Sequence, residues 1–181
     1  MRKQSGRMTC FALFTLVAAS FPAATASAGS RSTDEAAIRQ TVQDLLDSWR
    51  EANAAKGDAA MHPDFRLFSR RTAYDGSDPA LQGVAPHVGL STRADMMAIY
   101  ANLKPGQWDD RLSNVRIHWD SSGVGTLWAN YRFHMGGKLT HCGAVAFTLY
   151  KMSRRWQIAA FADTHHWAVA GEPAGCAPPR A

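Results

Sequence analysis

Apolar residues at Ile38, Val42, Leu45, Leu46 and Trp49 recur at helical intervals, with Gln40, Gln43, Asp44, Asp47 and Arg50 between them. That spacing predicts an amphipathic helix with one buried stripe. Ser32 and Glu35 stand at capping-box separation just before it. At Lys56-Gly57-Asp58 the helix ends or turns into a second short one. After a break at His62-Pro63-Asp64, Phe65-Arg66-Leu67-Phe68 alternates as a short strand. Residues 75–90, rich in Gly, Pro and Asp, predict a long loop of the sort that often serves as a lid or binding loop. A further helix starts at Ser91 or Thr92, carries Met96, Met97, Ile99, Tyr100 and Leu103 as apolar positions, and stops at Lys104-Pro105-Gly106.

From Arg111 the period changes to two. Val115, Ile117 and Trp119 alternate with Asn114, Arg116 and His118, and Asp120-Ser121-Ser122-Gly123 makes a turn. Leu127, Ala129, Tyr131, Phe133 and Met135 alternate with polar or bulky neighbours up to Gly136-Gly137, residues 140–150 form a third strand, and Ser153-Arg154-Arg155 turns into a fourth from Trp156 to His165. Short turns between strands predict an antiparallel meander. Helices first and strands after make the class α+β, with the N-terminal helices laid on one face of a curved antiparallel sheet.

The chain has 181 residues, but its first 28 read as an export signal. Arg2, Lys3 and Arg7 give a positive start, residues 8–21 an apolar run, and Ala26-Ser27-Ala28 a small-x-small site for cleavage after Ala28. About 14 apolar residues fall short of the ~20 that span a bilayer. The expected product is therefore exported, periplasmic or secreted, with no membrane segment in its mature form. It would comprise a domain over 29–166 and a flexible Gly/Pro/Ala tail over 167–181. With the leader set aside, the 20 basic residues fall to 17 against 15 acidic ones. So small a basic excess argues against nucleic acid as a partner. Export also permits Cys142 and Cys176 to pair, although two free thiols fit the sequence as well.

Over residues 34–166 the chain resembles the nuclear transport factor 2-like (SnoaL-like, ketosteroid isomerase-like) superfamily. The resemblance is carried by the opening helix with Trp49 and Lys56-Gly57-Asp58, by Asp64-Phe65-Arg66-Leu67-Phe68, and by the closing run Tyr150-Lys151-Met152-Ser153-Arg154-Arg155-Trp156-Gln157-Ile158 with Asp163-Thr164. It implies a cystatin-like cone whose helices cover the concave side of the sheet and leave an apolar pocket between them. If Asp163 faces that cone, strand alternation turns Gln157, Ala159, Phe161 and His165 the same way. The register of the ketosteroid isomerase branch puts Cys142, Ala144, Ala146 and Thr148 inward, small groups that would hollow out the chamber. It turns Val145, Phe147 and Leu149 outward beside Trp128 as a homodimer face. Trp49, Tyr100, Ala129, Phe133 and Phe161 complete the expected ligand wall.

The same register places Ser69 and Ala146 where the isomerase branch keeps its base and its acid, and neither side chain can do that work. What remains polar and inward is Tyr131, Asp163 and His165. A His-carboxylate pair could move a proton while the phenol polarises a carbonyl. The plainer reading is an Asp that caps the strand end and a His at the solvent mouth. Three functions stay open on the sequence: an exported binder of a small, mostly apolar ligand, a lyase or isomerase using Asp163, His165 and Tyr131, and a non-catalytic dimerisation module. No phosphate loop, nucleophile elbow or metal-ligand spacing is present, so no cofactor is expected.

Overall fold

The computed structural model describes residues 28–71 and 85–168. Residues 1–27 of the expected leader, most of the 75–90 loop, Cys176 and the tail beyond residue 168 lie outside the described residues. Helix α1 (Ala28–Glu51) is followed by α2 (Ala54–Ala60), strand β1 (Met61–Arg71), β2 (His87–Thr92), α3 (Arg93–Ile99), and strands β3 (Trp108–Trp119), β4 (Val124–Met135), β5 (Lys138–Met152) and β6 (Arg155–Trp167). The fold is α+β, as the two periodicities require. The six strands form one sheet in the order β2-β1-β6-β5-β4-β3, antiparallel throughout except that β1 runs parallel to β6.

The expected stripe of α1 is the buried one: Ile38, Val42, Leu45, Leu46 and Trp49 are all at most 3% exposed. The helix begins ahead of Ser32, so Ser32 is an interior residue and not its cap. It ends at Glu51, where Ala52 takes a left-handed φ of 52° and Asn53 N–H reaches the Ser48 carbonyl at 2.8 Å, a closure typical of helix C-termini. The capping box belongs to α3. Thr92 accepts from Asp95 N–H at 3.2 Å while Thr92 N–H donates to Asp95 at 2.8 Å. Part of the expected loop is structured, since residues 87–92 pair with β1 as an edge strand.

Gly57 on α2 has a packing reason. A Cβ there would stand 2.0 Å from the Tyr100 hydroxyl, and that hydroxyl is hydrogen-bonded to Ser48 at 2.5 Å in the buried seam between α1, α2 and α3. Two-residue hairpin turns close β4–β5 and β5–β6, with positive φ at Gly136 and Gly137 and at Ser153 and Arg154.

The face of β5 is the reverse of that expected. Val145 is paired with Asp163 and Phe147 with Phe161, and directly paired residues share a face. Val145, Phe147 and Leu149 are at most 2% exposed and belong to the core under the helices. Ala144, Ala146 and Thr148 lie on the other side of the sheet, so they hollow out no chamber. Apolar side chains of this size are driven to the dry face by their transfer free energy.

Two bulges correct the expected alternation elsewhere. On β3 the register shifts between Ser113 and Arg116, where Asn114 adopts φ 54°. On β6 it shifts as the pairing passes from Leu149↔Ile158 to Thr148↔Ala160. Trp156 and Ile158 are therefore buried, and Gln157 and Ala159 are not the inward pair. One extra residue inverts the facing of everything beyond it.

Candidate functional site

At the Val145–Leu149 segment the inner face of the sheet is buried in the core. Towards its other end it opens into a cavity of about 290 Å³ between α1, α3 and the strands. Trp49 from α1 and Met96 and Ile99 from α3 cover it. Leu67, Ser69 and Arg71 of β1, Trp108 and Asp110 of β3, Tyr131 and Phe133 of β4, Thr140 and His141 of β5, and Phe161, Asp163, His165 and Trp167 of β6 form its floor and walls. The volume is roughly twice the ~150 Å³ apolar void that can hold a benzene ring.

Aromatic rings make much of the wall. Trp49 stacks on Phe161 at 6.2 Å and meets Trp108 edge-on at 6.4 Å, and Trp108 meets Phe133 edge-on at 5.4 Å. Asp110 follows Trp108 by two residues on β3, and Asp163 follows Phe161 by two on β6. Each carboxyl thus projects from the same face as its aromatic neighbour.

The carboxyl groups are the unusual feature. Oδ1 of Asp110 and Oδ1 of Asp163 are buried without a hydrogen-bond partner. Burial, then the charges of Asp163 and Asp109, push the Asp110 carboxyl well above the ordinary carboxylate range. Burial raises Asp163 too, opposed by hydrogen bonds from Ser69 and Tyr131 and by the Arg71 charge. Burial and the nearby Asp163 push the Tyr131 phenol upward.

Tyr131 Oη lies 2.9 Å from Asp163 Oδ2 and 3.0 Å from the Thr164 carbonyl. A phenol has one hydrogen and a carbonyl can only accept. Both contacts are full hydrogen bonds when Asp163 holds a proton and gives it to the phenol oxygen. The carbonyl is exposed to Tyr131 because the β5–β6 ladder is interrupted between Cys142↔His166 and Val145↔Asp163. In that gap Ala144 N–H donates to Thr164 Oγ1 at 3.0 Å. Gly143 leaves the space, since a Cβ there would fall 1.8 Å from the Thr164 oxygen.

His141 and His165 stack at 3.5 Å, with Phe133 against the outer face of His141 and Trp167 beside His165. Burial, then the mutual charge and Arg71, pull His141 down to about 2. Burial, then Arg71 and His166, pull His165 down to about 3. Both rings are neutral at physiological pH. Nδ1 of His141 is buried without a partner.

Of the expected site residues, the structure brings Trp49, Tyr131, Phe133, Phe161, Asp163 and His165 around one cavity. It takes Tyr100 into the Ser48 seam, buries Ala129 in the core at 0% exposure, and removes Ala144, Ala146 and Thr148 to the opposite face. Trp167, expected in the tail, ends β6 and lines the cavity. Cys142 is disulfide-bonded. Asp110 and His141 were not foreseen as site residues. The signal for Asp110 was the repeated aromatic-x-Asp of Trp108-Asp109-Asp110 and Phe161-Ala162-Asp163, hidden by the β3 bulge that changes parity after Leu112.

Neither a protein-family model nor a curated protein sequence matches the chain. Solved structures do. One is a protein of unknown function with a cystatin-like fold from Nostoc punctiforme, 10% identical, TM-score 0.57, covering 76% of this chain and 95% of that one. A nuclear transport factor 2-like protein with a cystatin-like fold from Novosphingobium aromaticivorans is 12% identical, TM-score 0.55, covering 81% and 88%. Another nuclear transport factor 2-like protein, from Cytophaga hutchinsonii, is 14% identical, TM-score 0.53, covering 73% and 98%. The chain has the nuclear transport factor 2-like, cystatin-like fold. At these identities the likeness is one of fold, and function has to be argued from the cavity.

Proposed function

We propose that this is an exported protein that binds a small, mostly apolar molecule in the cavity between α1, α3 and the sheet. The observation that carries the reading is a largely aromatic chamber containing two buried carboxyl oxygens with no protein partner. Unsatisfied buried acceptors cost free energy, and a ligand that donates hydrogen bonds recovers it. The leader pattern supports export, and the disulfide at Cys142 agrees with an oxidising compartment. Native mass spectrometry of protein purified from its own host tests the reading. One small molecule per chain is expected, and an apo mass from every preparation overturns it.

A second reading is proton-transfer catalysis of the lyase or isomerase type. It is favoured by carboxyls whose proton affinity is raised toward neutrality, the range in which a general acid or base works well. Asp163 and Asp110 suit that role better than His165, whose low basicity makes it a weak proton acceptor. Asp163→Asn should then abolish turnover of the ligand found by mass spectrometry while the fold persists, and unchanged turnover retires the idea.

Homodimerisation through the outer sheet face is also proposed, with Trp128 kept from the expected face and Val145, Phe147 and Leu149 replaced. Leu90, Phe68, Ala162, Ala146 and Trp128 are paired in turn across five strands. Phe68, Leu90 and Trp128 are 42%, 60% and 37% exposed, an apolar row of the kind that marks an interface.

A further inference from the structure

We propose that the cavity's ligand is a small hydrophobic amine, held as its ammonium ion between Asp110 and Asp163 with its apolar body against Trp49, Trp108, Phe133 and Phe161. The inference rests on the reading of this cavity as a ligand site and adds the charge and donor pattern of what fills it.

Among the described residues, three unpartnered polar atoms of the lining can accept a hydrogen bond: Oδ1 of Asp110, Oδ1 of Asp163 and Nδ1 of neutral His141; Nε1 of Trp49 is an unpartnered donor. An ammonium group carries three donors and no acceptor, which suits the three acceptors and leaves the indole N–H unanswered. Two carboxyls facing one dry space repel each other when ionised, and a cation between them reverses the sign of that interaction. The aromatic walls add to the preference, because the faces of Trp and Phe attract a desolvated cation. A neutral alcohol supplies one donor and leaves the carboxyl pair uncompensated.

The charged and titratable groups around the pair are few. Asp109 precedes Asp110 on β3 and is ion-paired with Arg111 at 2.7 Å. Tyr131 on β4, His141 on β5 and His165 on β6 are uncharged near neutral pH. Arg71, at the end of β1, is the one cation lining the cavity among the described residues. It is exposed at the rim, where water and salt screen its repulsion. Binding an ammonium ion requires Asp110 to be ionised, so proton release accompanies binding wherever Asp110 is protonated in the empty protein.

Isothermal titration calorimetry with benzylamine and benzyl alcohol, which have equal numbers of heavy atoms, tests the inference. The amine is expected to bind the full-length mature protein at least about tenfold more tightly. Asp110→Asn, checked for folding by circular dichroism, should erase that advantage. Should that variant fail to fold, the wild-type protein gives the second measurement. In buffers of different ionisation enthalpy the amine alone should release protons on binding. Equal or tighter binding of the alcohol overturns the amine assignment and leaves the ligand site standing. Failure of both probes at millimolar concentration overturns the site as well.

Discussion

The phenol of Tyr131 stands between the Asp163 carboxyl at 2.9 Å and the Thr164 carbonyl at 3.0 Å, filling a break in the β5–β6 ladder with side-chain hydrogen bonds. Tyr131→Phe leaves the buried carbonyl without this donor. The expected cost is about 1–3 kcal/mol of folding stability, read from urea denaturation. A variant as stable as the parent would show that the bond contributes nothing in solution.

Acid should destabilise the protein through the stacked histidines. His141 and His165 are held far below the ordinary imidazole value, at about 2 and about 3. Below pH 6.5 the unfolded chain takes up protons that the native rings do not, so stability falls as pH falls. For the buried His165 alone the loss from pH 6.5 to 5 is roughly 2 kcal/mol. His165→Gln should flatten the stability curve over that interval, and an unchanged slope would contradict the assignment.

Asp110 acts with the opposite sign. Its folded value is raised, so its contribution is fully present below the ordinary carboxylate value near 3.8 and is lost as pH rises through the folded value. Replacing it with Asn, which cannot ionise, should make the empty protein more stable at neutral and alkaline pH, with the gain vanishing in acid. Thermal melts at several pH values check this, and a loss of stability at pH 8 would count against it.

Gly57→Ala places a methyl group against the Tyr100 hydroxyl and forces the Ser48–Tyr100 hydrogen bond apart. Overpacking of this kind costs about 1–3 kcal/mol. Restoring room with Tyr100→Phe in the same chain should recover part of the loss, and a double-mutant cycle measures how much.

A charge at Ala146 tests the outer face. If the outer face joins two copies as proposed, Ala146→Glu should give a monomer in analytical ultracentrifugation with the fold intact. The same test at Phe147 would instead disrupt folding, because Phe147 is 1% exposed in the core. A dimer unaffected by Ala146→Glu excludes this face.

Local sequence determined the periodicities and, through them, the elements. The α1 stripe from Ile38 to Trp49, the α3 apolar positions and the β3–β6 meander are legible because helix and strand repeats are set by neighbouring residues. The same holds for Tyr131, Phe133, Phe161, Asp163 and His165, which lie on stretches whose alternation is uninterrupted within the site. What only the tertiary structure decided is which side of a strand is the interior. Pairing of Val145 with Asp163 is a contact between residues far apart in the chain, and it turned β5 over relative to expectation. The bulge at Asn114 did the same on β3, bringing Asp110 inward beside Trp108. Period-two alternation has no memory across an inserted residue, so the second carboxyl of the site became visible only when the strands were assembled.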